Sequence, residues 1–229
     1  MTTIWLTLPI RNTLRRVAGG TLPAMGLREV KRERTRRLIA DKAFELFSDN
    51  GFGRTTVEQI AAAAEVGPST LYRYFPTKEG LVLEFVDECL ADAVSWFHDQ
   101  PAMNLPDGLC AVIERVLEQL ERNPDRIRAV FDLAEQTASV SAHLNELIWR
   151  FRNDLADVLV RRLPGDDLRS IEFVAALSAG ITMNIIENVV RVWVDSPGTV
   201  DAKTLARRAM RLLRAGGVPL PGVPDSPAL

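Results

Sequence analysis

The sequence predicts an all-α protein in which a small N-terminal domain of three helices precedes a larger helical domain. Apolar residues recur at helical spacing in each segment between residues 33 and 215. Proline or glycine marks the breaks between these segments. Alternation of apolar and polar residues is absent, and no hairpin turn separates two apolar runs, so nothing indicates a strand. We place the two domains at residues 28–77 and 78–215, with a disordered extension over 1–27 and a disordered tail over 216–229.

Length and composition fit a soluble globular chain of two domains. Of the 229 residues, 47% are apolar and 25% are charged, which is ordinary for globular proteins. The net charge is only −2, but residues 1–80 carry 13 basic and 8 acidic side chains, against 15 and 22 in residues 81–229. The N-terminal part is therefore the one suited to a polyanionic partner.

The only cysteines, Cys89 and Cys110, are too few for a disulfide framework and lack metal-ligand spacing. They fit a reducing cytoplasm, and we expect no metal or other cofactor. A redox-sensing pair is an alternative, although free cysteine is most often a small buried apolar residue.

The first 24 residues include the run IWLTLPI, which is too short to span a membrane and has no preceding positive charge as a secretory signal requires. We expect a poorly ordered extension, and Met25, which opens MGLREVKRERTRR, is a candidate for the true start. Residues 28–37 contain six basic and two acidic side chains, an arm that would attract a polyanion in a sequence-independent and salt-sensitive way.

The first helix is predicted over residues 33–50, where Ile39, Ala43, Leu46 and Phe47 share one face. Gly51 is typical of a helix C-terminus. The core of this small domain is expected to contain apolar side chains from three segments: Leu38, Phe44, Phe52, Leu71 and Phe75.

Residues 56–78, TVEQIAAAAEVGPSTLYRYFPTK, indicate two short helices joined by a tight turn. An apolar stripe at i, i+3, i+4 and i+7 runs along the first helix from Val57. Thr56 lies where an N-cap belongs. Gly67 is acceptable as the next N-cap, and Pro68 has its φ already set for the first helical position.

The outward face of the second short helix is the part that points to function. Leu71 and Phe75, four residues apart, would anchor this helix to the first one. The face left outward carries hydroxyls, phenols and a guanidinium, groups that reach phosphates and base edges in a major groove. Its residues are Ser69, Thr70, Tyr72, Arg73 and Tyr74.

At these residues the chain resembles the helix-turn-helix of the tetracycline-repressor (TetR) family of bacterial transcription regulators. AFELFSDNGFGRTT (43–56) is similar to the end of the family's first helix, and LYRYFPTKEGL (71–81) to its recognition helix and the start of its fourth helix. The resemblance covers residues 30–81. Glu65 stands where the family usually has glycine, and Gly67 where it has serine or threonine, so position 67 has no side chain to make a phosphate contact.

The resemblance implies the DNA contacts position by position. Thr56 and Lys78 would hold phosphates at the N-terminal ends of their helices, and Tyr72 and Tyr74 would contact the backbone. The expected base-reading side chains are Ser69, Thr70 and Arg73.

The helix predicted over 78–100 is the covalent link between the two domains. Further helices are predicted over 107–122, 124–138, 141–163, 167–195 and 200–215, and the proline- and glycine-rich stretch after them marks the tail. The helix over 167–195 is apolar enough to suggest a membrane span, but Glu187 and its neighbouring asparagines argue against one.

In the family, the last two long helices form the four-helix bundle of a homodimer and line a ligand cavity, and residues 167–195 and 200–215 fit that part. Small residues would let a partner helix approach, or would equally fit a crowded core within one subunit. These residues are Ala175, Ala176, Ala179 and Gly180.

The candidates for a cavity wall are large apolar side chains with a few polar ones to orient a ligand. The apolar candidates are Trp96, Phe97, Phe131, Trp149, Phe151, Met183 and Trp193, and the polar ones are His143, Asn184 and Glu187. Most such residues would be ordinary core.

Three functions remain open at this point. The resemblance implies a repressor that binds a palindromic DNA operator and is released by an unidentified small apolar or amphipathic effector. A regulator controlled by a protein partner or by oxidation is a second possibility. An all-helical enzyme is a third, although no catalytic or nucleotide-binding motif is present and His143 with Glu146 is a weak metal-binding pair.

Overall fold

The computed structural model describes residues 27–219 except 197 and 199, and over that range it contains nine helices and no strand. The all-α prediction is confirmed. Residues 1–26 of the extension expected over 1–27, the candidate start at Met25 and residues 220–229 of the expected tail lie outside the described residues. The helices are α1 (Leu27–Asn50), α2 (Val57–Ala63), α3 (Pro68–Tyr74), α4 (Lys78–His98), α5 (Leu105–Glu121), α6 (Pro124–Gln136), α7 (Ala138–Val160), α8 (Leu168–Asp195) and α9 (Ala202–Arg214).

The first three helices share a core with the start of α4. Its buried side chains are Ile39, Ala40, Ala43, Ile60, Ala61, Ala64, Leu71, Phe75 and Leu81. Three of the five residues predicted for this core are not fully buried. Leu38 is 43% exposed, because it neighbours the buried Ile39 and a helix turns by about 100° per residue. Phe44 and Phe52 are only half-buried.

Helix α4 joins this core to the rest of the chain. Leu81 belongs to the first core, Val82 and Leu83 pack with α6 and α7, and the later turns from Cys89 to Phe97 enter the large core of α5, α7, α8 and α9. A single unbroken helix therefore contributes to three successive apolar clusters.

Local capping accounts for the differences in helix ends. Helix α5 begins at Leu105 because Asn104 caps it, accepting the Asp107 N–H at 3.0 Å. Helix α9 begins at Ala202 because Asp201 accepts the Thr204 N–H at 2.8 Å. Helix α1 extends six residues further toward the N-terminus than predicted.

Helix α8 has the length and composition of a membrane span, alone among the helices described. Its apolar character has another cause. One face, with Ala175, Ala179 and Met183, is buried against neighbouring helices of the same chain. Opposite it lies an exposed apolar face, whose largest members are Phe173, Val174, Leu177 and Ile181.

Candidate functional site

Helices α2 and α3 form the predicted helix-turn-helix, and Thr56 opens it as a complete capping box. The Gln59 N–H donates to Thr56 Oγ1 at 3.2 Å, and the Thr56 N–H donates to Gln59 Oε1 at 2.8 Å. Two N-terminal amides are thereby satisfied, which fixes the start of α2. Thr56 itself is exposed, at the positive end of the helix dipole.

In the turn between the two helices, the strained backbone conformation is that of Glu65. Glu65 has φ 54°, the left-handed region that a side chain disfavours. Gly67, in contrast, has an ordinary φ of −72° as the N-cap of α3 and offers no side-chain cap. The glycine at 67 therefore does not take over the conformational role of a glycine at 65.

One face of helix α3 is buried against the first core, and the opposite face is exposed. Leu71 and Phe75 are buried in the first core. Ser69, Tyr72 and Arg73 are exposed, and Thr70 is half-exposed. This is the polar face that the sequence predicts.

Tyr74 differs from the expectation that it faces outward. Its ring packs partly against the first core, and the Arg73 guanidinium lies 5.7 Å from its centroid. Tyr74 thus supports Arg73 as well as presenting its own phenol.

Lys78, predicted to contact phosphate, already has partners within the chain. Nζ donates to the carbonyl oxygens of Phe52 at 2.7 Å and Thr55 at 3.2 Å, and lies 4.1 Å from the Phe52 ring centroid. Thr55 was not a predicted site residue, yet it is buried and donates its hydroxyl to the Gly51 carbonyl at 2.9 Å. Lys78 therefore fixes the α1–α2 loop that carries Thr56, in addition to any contact with phosphate.

The basic arm divides into two sets. Arg28, Lys31, Arg32 and Arg34 are exposed. Arg36, which is half-buried, and Arg37, which is still exposed, instead pair with carboxylates of α4. Arg36 pairs with the buried Glu84, stacks 4.8 Å from the Phe75 ring centroid, and reaches the Tyr74 carbonyl at 3.5 Å.

Arg37 is shared between two carboxylates at the same junction. Its Nε lies 3.1 Å from Glu33 and 3.5 Å from Glu88. Burial, followed by the hydrogen bond to Glu33, raises the pKa of Glu88 to about 7. The α1–α4 contact thus contains a carboxyl that titrates near neutral pH.

A cavity of about 400 Å³ lies among α4, α5, α6, α7 and α8, and we call it the effector-domain cavity. Its size falls in the range of small-molecule sites. The apolar wall consists of Val86, Leu90, Leu120, Ile127, Val130, Phe131, Ala134, Leu144, Ile148, Met183, Ile186 and Val190. The polar lining residues are Glu135, Ser141, Asn145, Glu187 and Arg191.

Three of the predicted ligand-contacting residues line this cavity: Phe131, Met183 and Glu187. Glu187 Oε2 accepts a hydrogen bond from the guanidinium of Arg152 at 3.0 Å, so its charge is partly balanced. A negative ligand group would find Arg191 on the same lining, and no ion pair of Arg191 occurs among the residues described.

Four predicted residues lie elsewhere. Trp149 is 67% exposed, and Asn184 is exposed. His143 lies in a separate cleft near Tyr74 and Arg150, and Trp96 packs against the large core under the Arg115 guanidinium. Three of these four residues are sequence neighbours of residues that do line the cavity. His143 is next to Leu144, Trp149 next to Ile148, and Asn184 next to Met183. One residue of helix changes direction by about 100°.

Other predicted candidates are ordinary core, and burial raises the pKa of both cysteine thiols. Phe97 and Phe151 are buried in the large core, and Trp193 packs at its edge. Burial raises the pKa of the Cys89 thiol to about 12, which suppresses the thiolate that oxidation requires.

The comparisons with known proteins agree with this geometry. A family model described as bacterial regulatory proteins, tetR family, matches residues 39–85. The chain is 33% identical over 164 residues to the HTH-type transcriptional regulator TcmR of Streptomyces glaucescens, covering 67% of this chain and 73% of that protein. It is 22% identical over 181 residues to the fatty acid metabolism regulator protein of Bacillus subtilis, covering 78% of this chain and 93% of that one.

Solved structures show the same fold. FadR of Thermus thermophilus, a transcriptional repressor in complex with lauroyl-CoA, superposes with a TM-score of 0.54 at 23% identity, covering 85% of this chain and 98% of that one. FadR of Bacillus subtilis in complex with stearoyl-CoA gives 0.55 at 23% identity, covering 79% and 98%. The proteins just described are all named as regulators or repressors, and none of them is named as an enzyme.

Proposed function

This chain belongs to the TetR family of bacterial regulatory proteins and is a DNA-binding transcriptional regulator, and we propose that it is a homodimeric cytoplasmic repressor released from its operator by an amphipathic ligand. In this proposal residues 28–77 bind DNA, and residues 78–215 bind the ligand and the second subunit. The main support for this proposal is that the single helix α4 runs from the helix-turn-helix to the effector-domain cavity. Its first residue, Lys78, holds the loop of Thr56, and Val86 and Leu90 in its middle line the effector-domain cavity.

The homodimer is supported by the exposed face of α8. Phe173 is 69%, Leu177 53% and Ile181 47% exposed, four residues apart on a helix. Such a contiguous apolar face is typical of an interaction surface. Gly180 belongs to the same side and has open space around it, whereas Ala175 and Ala179 are already buried within the chain. The small residues thus divide between the two roles that the sequence left open.

A two-fold dimer gives the DNA contacts their geometry. Two α3 helices would read two half-sites about 34–36 Å apart, and the symmetry of the protein makes an inverted repeat readable as a unit. Ser69, Thr70 and Arg73 are assigned to base edges, and Thr56, Tyr72, Tyr74 and Lys78 to the backbone.

The ligand assignment follows from the chemistry of the cavity wall. An apolar interior with Glu135, Asn145 and Arg191 among its polar groups suits a molecule with an apolar body and a polar end. The two FadR structures hold acyl-CoA molecules of that description, so we choose lauroyl-CoA and stearoyl-CoA as the first probes for Phe131, Met183 and Glu187.

Selection from a pool of random duplexes tests the DNA part of the proposal. The protein should enrich an inverted repeat with half-sites about one helical turn apart. Enrichment of single half-sites only, or of no sequence, would argue against a dimeric operator-binding repressor. Adding each probe to the selected complex should raise the operator Kd by about 5- to 150-fold, the usual range of allosteric coupling.

A further inference from the structure

Arg126, in the first turn of α6, connects three helices with one side chain. The side chain is only 10% exposed. Its guanidinium carbon lies 5.0 Å from the ring centroid of Phe44 on α1 and 5.3 Å from that of Phe85 on α4. One of its terminal nitrogens, Nη1, donates to Asp41 Oδ1 on α1 at 3.0 Å. The guanidinium of α6 is thus held between an aromatic ring of α1 and an aromatic ring of α4.

Stability alone does not account for an arginine at this position. Arg126 Nε is buried without a hydrogen-bond partner, and such a donor is costly to bury. The Asp41 side chain is 62% exposed, so solvent screens the ion pair and it contributes little. An apolar side chain would fill the gap between the two rings without the unsatisfied donor.

The neighbouring residues of α6 face the effector-domain cavity. Ile127, Phe131 and Ala134 line it, so a molecule entering the cavity pushes directly on α6. The side of α6 toward α1 is loosely packed. A second cavity of about 280 Å³ separates Phe44 and Phe47 on α1 from Leu133 on α6. Arg126, one turn before the cavity-lining Ala129 and Val130, contacts α1 beside this gap.

We propose that Arg126 is a positioning residue that transmits the position of α6 to α1, so that occupation of the effector-domain cavity changes the placement of the DNA-binding helices by a second route beside α4. The proposal rests on the proposed function of the cavity. It assigns regulation of that site to the contact of Arg126 with Phe44, Phe85 and Asp41.

A test that needs neither effector nor DNA uses a substitution to fill the cavity. Ala134→Phe adds a ring to the wall from α6, and Ile186→Phe fills the same cavity from α8 if the first variant folds poorly. Amide hydrogen exchange in residues 39–50 of α1 is measured for the filled and the unfilled protein, each with and without Arg126→Met. Arg128→Met is the matched control, because Arg128 lies on the same helix and pairs only locally, with Asp125 at 2.9 Å.

Filling the cavity should change exchange in residues 39–50 several-fold when Arg126 is present, and this response should be lost with Arg126→Met and kept with Arg128→Met. An equal response with and without Arg126, or no response in α1 at all, would overturn the proposal. The outcome is independent of whether an operator is found, so failure of the proposed function is recognised separately by the duplex selection.

Discussion

Glu65 shows how the helix-turn-helix tolerates a residue that its turn does not favour. The left-handed φ of 54° brings the Cβ close to the backbone. Replacing the side chain by hydrogen relieves that strain, although glycine also loses more freedom on folding. Glu65→Gly should therefore raise the free energy of unfolding by about 0.5–1 kcal/mol, measured by urea denaturation.

The same substitution at Glu58 is the control for Glu65→Gly. Glu58 is exposed in the first turn of α2 with helical geometry, so glycine there should lower the free energy of unfolding by about 0.5–1 kcal/mol. If both variants are destabilised alike, the strain assigned to Glu65 is absent.

Arg73 and Lys78 should fail in different ways when truncated. Arg73→Ala removes an exposed guanidinium and should relax preference at one base step by about 1–3 kcal/mol, with Tm unchanged. Lys78→Ala should weaken binding to all duplexes alike and also lower Tm, because the Phe52 and Thr55 carbonyls lose their donor. Fluorescence anisotropy with single-base variants of the selected duplex, across a salt series, separates the two. Altered base preference in Lys78→Ala alone would reverse the assignment.

The capping and anchoring residues of the helix-turn-helix could be predicted from the sequence, whereas the residues that line the cavity could be predicted only in part. Capping at Thr56 and anchoring by Leu71 follow from local spacing. Cavity lining depends on the rotation of each helix, and Trp149 and Asn184 lie one residue away from Ile148 and Met183, which line it. The repeated apolar spacing of α6 and α7 was the signal that could have identified Ile127 and Leu144 instead.

At the level of elements, the α1–α4 contact should give a pH dependence of stability. The folded-state pKa of Glu88 is about 7, above its ordinary value of 4.5. The protonated Glu88 carboxyl therefore gives the folded state its full stabilisation below pH 4.5, and this contribution is lost as the pH rises through 7. Glu88→Gln cannot lose a proton, so its stability relative to the natural protein should rise by about 1–2 kcal/mol between pH 5.5 and 8.5, allowing for solvent screening.

Urea unfolding of the two proteins at a series of pH values measures this difference. Glu45→Gln is the control, since Glu45 is exposed and pairs only with Lys42. A difference between natural protein and Glu88→Gln that does not vary with pH would contradict the assignment of the titration to Glu88.

The exposed face of α8 predicts a second effect at this level. Leu177→Asp places a charge in the proposed dimer seam and should yield a 25.4 kDa monomer with weakened operator binding. Leu38→Asp, at an apolar residue on α1 that is 43% exposed, should leave the dimer intact. Sedimentation equilibrium measures both masses, and a Leu177→Asp protein that remains dimeric at micromolar concentration would place the seam elsewhere.

Sequence periodicity predicts that the elements are helices and in which order they occur. It is less informative about where each helix ends and which of its faces is exposed. The start of α5 at Leu105 depends on the Asn104 cap, and the apolar pattern alone did not reveal it. The apolar length of α8 was evident, but only packing shows that Ala175 is buried and Phe173 exposed.

For the whole molecule, the structure offers two connections between cavity and DNA-binding helices, the continuous α4 and the contact through Arg126. A ligand acts only if it binds the DNA-incompetent state better. The two connections make such a difference possible, since Val86 on α4 and Ile127 on α6 both line the effector-domain cavity.

The most direct test is calorimetric titration of the protein with lauroyl-CoA and stearoyl-CoA in the absence and presence of saturating operator duplex. Linkage requires the duplex to weaken ligand binding by the same factor by which the ligand weakens duplex binding. We expect a factor of about 5–150 in both directions, with ligand binding abolished by Ile186→Trp, which fills the cavity. Ligand affinity unchanged by the operator, or failure of both acyl-CoA molecules to bind, would contradict release by an amphipathic ligand of this class.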